Sequence, residues 1–404
     1  MPRGGGGFSG PLSSIAVAGI ALGVVVMVMA VSILRGFQAD ISGKVVGFGS
    51  HLTISAYGGS AIGEESPIPF DEDLAARVRS LPGIRHLQTY ATKGGMVKTA
   101  DQIYGIVFRG LSHDYDTTFF ASCLTEGRLP QLYENRKTDS RPSASNEVLI
   151  SSTIAARLGL HTGDKMRTYF WQDQTYRSRA FDVCGIYNTD LSEMDELYVI
   201  GDLRQVQRLN GWDTENYIGG YEVLVDDFDK LDATAKQVSD IVPYDLQVKT
   251  IRQATPALFS WLDLLEANIT LILTIMCIVS AVAIVSALLI MIFEKRSTIG
   301  TLKALGATDS SVRSIFLIKS ARMTVEGIAI GSAVALALSL IQIRWQVVRL
   351  DPESYSMSHV PVELNVWVYA AIGIGTLAVC LLALLLPAGY ISRISPAKTM
   401  RSER

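Results

Sequence analysis

Four long apolar segments, with a large polar block between the first two, constrain this chain more than any other feature. A helix crossing the hydrocarbon core needs about 20 apolar residues. Residues 15–34, 269–293 and 366–386 hold no charged side chain, and the last run stops at Pro387. Residues 327–343 are equally apolar but short. Starting that helix near Arg313 completes the span, with Lys319 and Arg322 reaching back to the headgroups. The first run is longer than the roughly 7–15 residues of a signal-peptide core, so it reads as an uncleaved anchor. A hydrophobic content of 49% and a mean hydropathy of +0.28 fit a few spanning helices plus one aqueous domain.

The expected fold class is membrane α-helical, with four transmembrane helices. A large α+β extracytoplasmic domain of two subdomains is inserted between helices one and two. The expected boundaries are a flexible cytoplasmic leader at 1–12 and helices at 13–36, 269–293, 313–345 and 366–387. The outer domain occupies 37–268, a cytoplasmic coupling segment 294–312, an outer loop 346–365 and a cytoplasmic tail 388–404. The leader has four consecutive glycines and only Arg3, and is short for a natural cytoplasmic start. Orientation follows from basic residues near the spans. Residues 294–313 carry Lys295, Arg296, Lys303 and Arg313 against Glu294 and Asp309; the tail carries Arg393, Lys398, Arg401 and Arg404 against Glu403. The loop between the last two spans has Arg344 and Arg349 against Asp351, Glu353 and Glu363. Both termini are therefore expected in the cytoplasm and residues 37–268 outside.

Within the outer block, residues 51–57 alternate as a half-buried strand does. Leu74, Ala75 and Val78 give 71–81 a helical stripe, closed by Pro82-Gly83. Strands at 88–99 and 102–111 complete a small α+β sandwich. A turn-rich stretch at 133–146 leads to a second set of elements. These are a strand at 147–150, a helix at 153–158 capped by Ser151 or Ser152 and ended by Gly159, a hairpin of 165–171 with 179–187, a strand at 196–200 and a helix at 202–210. A strand at 221–225, a helix at 230–241 and a strand at 246–251 then resume the first sandwich, so the second subdomain, about 123–218, reads as an insertion. No glycine or proline interrupts the chain from Ala257 to Phe293, so a continuous helix over 255–293 is expected, with a break near Glu266-Ala267-Asn268 at the headgroups as the alternative.

Several function classes fall away. The net charge of −3 argues against nucleic-acid binding. There is no Walker A loop, the five histidines lack metal-ligand spacing, and no Gly-x-Ser-x-Gly elbow occurs. No catalytic residue, metal or cofactor is expected on this chain. Four cysteines are too few for a disulfide scaffold. Cys277 and Cys380 read as small hydrophobes; Cys123 and Cys184 read as separate thiols, with a disulfide as the alternative. Arg322 and Glu326 stand four apart and can neutralise each other at the membrane interface.

Residues 294–307 form an amphipathic knuckle between two spans. Ile299, Leu302 and Leu305 recur at i, i+3 and i+6, Gly306 suits a helix stop, and Lys295, Arg296 and Lys303 supply a cationic rim. This reads as a docking surface for an acidic-rimmed groove, or as a turn lying on lipid.

The run Glu294-Lys295-Arg296, Ile299-Gly300 and Leu302-Lys303-Ala304-Leu305-Gly306-Ala307 resembles the coupling element of FtsX/MacB-like ABC permeases. Other segments resemble the lipoprotein-releasing LolC/LolE-type branch. They include Arg35-Gly36-Phe37, Ala156-Arg157-Leu158-Gly159-Leu160 with Gly163-Asp164-Lys165, Phe181 to Tyr187, His359 to Glu363 and Ser392 to Lys398. The resemblance implies a permease of the Gram-negative inner membrane, paired with a second permease copy or paralogue. It implies a cytoplasmic ABC ATPase subunit holding ATP and magnesium, a lipoprotein substrate and a periplasmic lipoprotein carrier. The hairpin turn expected over 172–178 is short and lacks proline, which leaves carrier docking open. An FtsX-like mechanotransmitting scaffold for a periplasmic enzyme and a MacB-like efflux permease are the alternatives. Under the lipoprotein reading Val24, Met27, Val28 and Val31 of the first span and Leu271, Ile275 and Ile278 of the second are candidates to line an acyl-chain cavity; facing membrane lipid or packing helix on helix is the competing role.

Overall fold

The computed structural model describes residues 9–58, 65–99, 102–132, 144–172, 174–212, 216–351, 355 and 357–388. Residues 1–8 of the leader, most of the 133–146 stretch and the tail from 389 onward lie outside the described residues. Helix α1 (Ser9–Gly49) has 41 residues, about 60 Å at 1.5 Å per residue. It runs past the expected end at 36. The reason is periodic: Ile41, Val45 and Phe48 continue the helical spacing and are buried. Ser50, with φ of 80°, turns the chain out of the helix.

The chain divides into two units, and residues 40–259 with 350–358 form one of them. It opens with β1 (Leu52–Ala56), β2 (Ile68–Pro69) and α2 (Glu72–Arg79). The Asp71 carboxylate caps α2, accepting from the amides of Asp73 and Leu74 at 2.9 and 3.1 Å. β3 (Ile84–Lys98), β4 (Ile103–Leu111), α3 (Thr118–Ser122), β5 (Leu124–Gly127), β6 (Glu147–Ser151) and α4 (Ser152–Leu158) follow. Ser151 Oγ accepts from the Ile154 amide at 3.0 Å, and Gly159 ends α4 at φ 64°. Next come β7 (Lys165–Gln172), β8 (Thr175–Tyr187), α5 (Ser192–Asp195), β9 (Tyr198–Asp202) and α6 (Leu203–Asn210). β10 (Tyr217–Ile218), β11 (Gly220–Val225), α7 (Leu231–Ile241), β12 (Leu246–Thr250) and α8 (Ile251–Ala254) complete the unit.

One sheet runs in the order β12-β1-β11-β3-β4-β9-β6-β8-β5, with β7 paired to β3 and β8. The strands of the expected insertion, 123–218, form one half of it, except β10, which pairs with β2 in a separate two-stranded sheet. They join the other half through the parallel pair β4–β9, in which Val107 faces Tyr198 and Leu111 faces Asp202, and through β7 on β3. The two subdomains expected from the sequence therefore share a sheet. The β7–β8 pairing continues to Gln172 opposite Thr175, so most of the turn expected over 172–178 is strand. Cys123 and Cys184 are free thiols. Their carbonyls accept from Asn188 and Arg128 respectively, which sets them four residues apart along the ladder. That is roughly 13 Å, beyond disulfide reach, and burial pushes the Cys184 thiol up to about 11.

The second unit comprises residues 1–39, 260–349 and 359–404. Helix α9 (Pro256–Glu294) is unbroken over 39 residues, as the lack of internal breakers implies. α10 (Arg296–Ala304), α11 (Asp309–Trp345) and α12 (Val366–Ala388) follow. α1, α9, α11 and α12 are long and apolar enough to cross a membrane. Their buried faces share one apolar cluster, including Ile20 and Val24 of α1, Ile284 and Leu288 of α9, Phe316 of α11 and Leu384 of α12. Close approach depends on glycine. At Gly331 of α11 an added Cβ would sit 2.6 Å from the Ala21 carbonyl oxygen, the kind of small-residue contact that lets membrane helices pack without a hydrophobic drive.

Candidate functional site

The chain between α9 and α11 makes a compact elbow. α9 ends at Glu294, Lys295 is the corner, and α10 starts at Arg296. α10 closes with paired backbone bonds: Gly306 N–H to Lys303 C=O at 3.1 Å and Ala307 N–H to Leu302 C=O at 3.0 Å. This is a Schellman ending, and it needs the left-handed backbone that Gly306 supplies at φ 96°. Thr308 then caps α11, accepting from the Ser311 amide at 3.3 Å.

This geometry redistributes the residues picked from the sequence. Ile299 is fully buried in the helix cluster, and Leu302 and Ala307 pack against it. Gly300 is buried as well. Lys303 is drawn in, its side chain 8% exposed, with Nζ 2.9 Å from Asp309. Ile299, Gly300 and Lys303 are therefore not open on the elbow's surface; Ile299 joins α10 to the helix cluster and Lys303 joins it to Asp309 of α11. Glu294, Arg296, Leu305 and Gly306 are exposed, Leu305 at 80%, and half-buried Lys295 lies 3.9 Å from Glu294. Ser297 and Thr301, one turn apart, are exposed beside Leu305. Sequence reasoning passed over them because small polar residues carry no hydropathy signal; their only mark is lying opposite Ile299 and Leu302 on the helix wheel.

The cavity candidates separate too. Val24, Met27 and Val28 are buried in the helix core and Val31 is half-buried, so the first three pack between helices in this chain. Leu271, Ile275 and Ile278 of α9 are exposed. Ile278 borders an apolar groove of about 650 Å³, walled by Leu273, Cys277 and Val285 of α9 and Val379 of α12. Arg322 Nε donates to Glu326 at 2.9 Å, and both side chains are exposed on α11. Among the described residues no group of three or more His, Cys, Asp or Glu could hold a metal ion.

The outer unit carries its own polar centre. Arg109 of β4 is buried against Glu222 of β11, and Gln88 of β3 donates to the same carboxylate at 3.1 Å. Burial pushes the Glu222 carboxyl up while the Arg109 charge holds it down. Desolvation also raises the Asp195 carboxyl, to about 6, against hydrogen bonds from Thr189. The β7–β8 hairpin shows Trp171 and Tyr176 at the surface, 4.8 Å apart edge to face.

Four membrane-length helices, a folded α/β domain between the first two and a tight elbow between the next two define a polytopic permease-like membrane protein. A MacB-like periplasmic core domain matches residues 13–241, and an FtsX-like permease C-terminal region matches 270–396. The chain belongs to this FtsX/MacB-like permease family. It is 22% identical over 414 residues to the lipoprotein-releasing system transmembrane protein LolC of Xylella fastidiosa, covering 98% of this chain and 95% of that protein. It is 21% identical to LolE of Haemophilus influenzae, covering 95% and 92%. The periplasmic region of MacB from Actinobacillus actinomycetemcomitans is similar at 13% identity and a TM-score of 0.34, over 53% of this chain and 95% of that one.

Proposed function

We propose that this chain is the permease subunit of an ABC transporter that uses ATP hydrolysis on a partner subunit to extract lipoproteins from the inner membrane and release them to a periplasmic carrier. The observation that carries this reading is likeness along almost the whole length to lipoprotein-releasing system proteins of both the LolC and LolE type. In this reading both termini and the elbow face the cytoplasm, residues 37–268 are periplasmic, and a second permease copy or paralogue completes the pair. The ATPase, holding ATP and magnesium, docks on the open side of the elbow at Arg296, Thr301 and Leu305, flanked by Glu294 and Lys295.

The physical demand is large. Moving about 45 methylenes of three acyl chains into water costs roughly 35 kcal/mol at about 0.8 kcal/mol each. The permease must therefore replace lipid with apolar protein surface throughout the transfer. Leu271, Ile275 and Ile278 are the candidates for that surface, since they are exposed. The hairpin aromatics Trp171 and Tyr176 are the candidates for meeting a carrier.

The test is photocrosslinking in proteoliposomes that hold this chain, its permease partner and its ATPase. A photoreactive residue at Ile275 is expected to give an ATP-sensitive adduct with a triacylated lipoprotein, and one at buried Met27 to give none. ATP turnover with no adduct at any exposed α9 position would instead favour a mechanotransmitting scaffold.

A further inference from the structure

Helix α1 ends inside the outer unit, and its last turn is keyed there. An added Cβ at Gly47 would lie 2.3 Å from the Phe119 ring. Phe48, 2% exposed, stands edge-on to Phe120 and Tyr198 at 5.7 and 5.0 Å. The Arg109 guanidinium lies over Phe48 at 5.0 Å, with Tyr90 at 5.6 Å and Tyr115 at 6.0 Å. Arg109 donates to Glu222 and, at 3.1 Å, to the Tyr115 hydroxyl. Its Nε is buried with no hydrogen-bond partner among the described residues.

A buried ion pair is poor evidence of stability, because apolar residues of similar volume often serve as well. Its geometry is more informative. Glu222, Gln88 and Tyr90 belong to strands β11 and β3, and Arg109 to β4. Phe48 is the one cage member from the helix that carries on into the first span. Immediately beyond it, Gly49 and the left-handed Ser50 form a joint where the chain could bend.

We propose that Arg109, neutralised by Glu222, is a positioning residue that latches the end of α1 to the centre of the sheet, so that a displacement of α1 moves the domain and does not dissipate at the Gly49–Ser50 joint. The link to transport rests on the function proposed above; the latch itself does not. The cage has the properties such a role needs. Cation–π attraction strengthens when desolvated, and the interdigitated rings have discrete packed arrangements, so a load is passed on rather than absorbed.

The test uses the full chain in nanodiscs, alone and with its permease partner and ATPase. The neutral double variant Arg109→Met/Glu222→Gln avoids a stranded charge, and Phe48→Leu removes the ring while keeping an apolar side chain. Spin labels are placed at Gly43→Cys, where a Cβ meets nothing within 4 Å, and at the exposed Lys249→Cys of β12, with the native cysteines replaced. Both variants are expected to broaden the label–label distance distribution and to speed hydrogen exchange at residues 44–49, leaving exchange in β3 and β4 unchanged. In the complex, ATP hydrolysis should persist while lipoprotein released per ATP falls by about five-fold, inside the range seen for coupling residues. Wild-type distances and exchange in both variants overturn the latch. A loosened α1 end with unchanged release per ATP overturns its coupling role. If the double variant also loosens β3 and β4, Phe48→Leu decides by the same criteria. A wild-type complex that hydrolyses ATP but releases no lipoprotein refutes the transport reading and leaves the label measurement to judge the latch.

Discussion

Replacing Leu305 by alanine should weaken ATPase docking without touching the fold, and the size of the effect can be worked from exposure. The change removes three carbon groups worth about 0.8 kcal/mol each when buried, about 2.4 kcal/mol in all. Leu305 is 80% exposed, so about four-fifths of that, near 1.9 kcal/mol, is available to a partner that covers it. This corresponds to about a 25-fold rise in Kd. Thermal stability should move by no more than about 0.5 kcal/mol, as for other exposed substitutions. Ile299→Ala is the opposite case: with Ile299 fully buried, it should cost about 2–5 kcal/mol of stability. The assay is titration of the nanodisc-embedded permease with its purified ATPase, paired with thermal unfolding of the same samples. A Leu305→Ala affinity within two-fold of wild type would refute the docking argument. So would a drop in melting temperature matching that of Ile299→Ala, because Leu305 would then be a packing residue.

Three further outcomes follow from other parts of the molecule. Gly331→Ala should destabilise the helix bundle by about 1–3 kcal/mol through overpacking against Ala21 and Val24, whereas Gly375→Ala, where a Cβ meets nothing within 4 Å, should be neutral or stabilising; denaturation in mixed micelles compares them. Asp195 binds its proton more tightly folded than unfolded, with its carboxyl raised from 3.8 to about 6, so the folded state holds more protons between those values and stability falls as pH rises through that window. Asp195→Asn should flatten that fall, by up to about 3 kcal/mol, in melting curves taken from pH 4 to 6.5. Finally, Cys123 and Cys184 should both remain alkylatable in unfolded, non-reduced protein after mild oxidation, because the β5–β8 register holds them apart; mass spectrometry of a linked peptide pair would contradict the register.

The spans were legible because charge-free runs near 20 residues have few other uses. The extension of α1 was not, since Ile41, Val45 and Phe48 are spread among Asp40, Ser42 and Lys44 and raise no hydropathy average. Most strands of the outer unit were placed from the sequence, 51–57 by its alternation, but the single sheet was hidden. Its central joint, β4 with β9, is a parallel pair between segments about 90 residues apart in the chain, and no local period encodes such a partner. Short β2, β5 and β10 lack the length for a pattern. At the elbow, i, i+3 and i+6 spacing placed Ile299, Leu302 and Leu305 on one face. The helix stops at Ala304, and the Gly306 turn leaves Leu305 outside while Ile299 stays in. Lys303 was read as a rim because its partner Asp309 lies across that turn. The Arg109–Glu222 pair, 113 residues apart, left no trace in the sequence at all.

An anchor that only spans a membrane is indifferent to rotation about its own axis, whereas a helix that must deliver movement into a folded domain is not. One residue of slip in α1 turns its end by about 100°. Phe48 would leave the cage, forfeiting about 1.5–3 kcal/mol of ring burial and uncovering one face of a guanidinium that is already short of a partner at Nε. Val46 or Phe48 would be driven toward the Phe119 ring, where Gly47 is tolerated only because it has no side chain. Both terms oppose rotation in either sense. The register between α1 and the sheet is therefore set by side chains of the outer unit, and the helix end is held by shape as well as by charge.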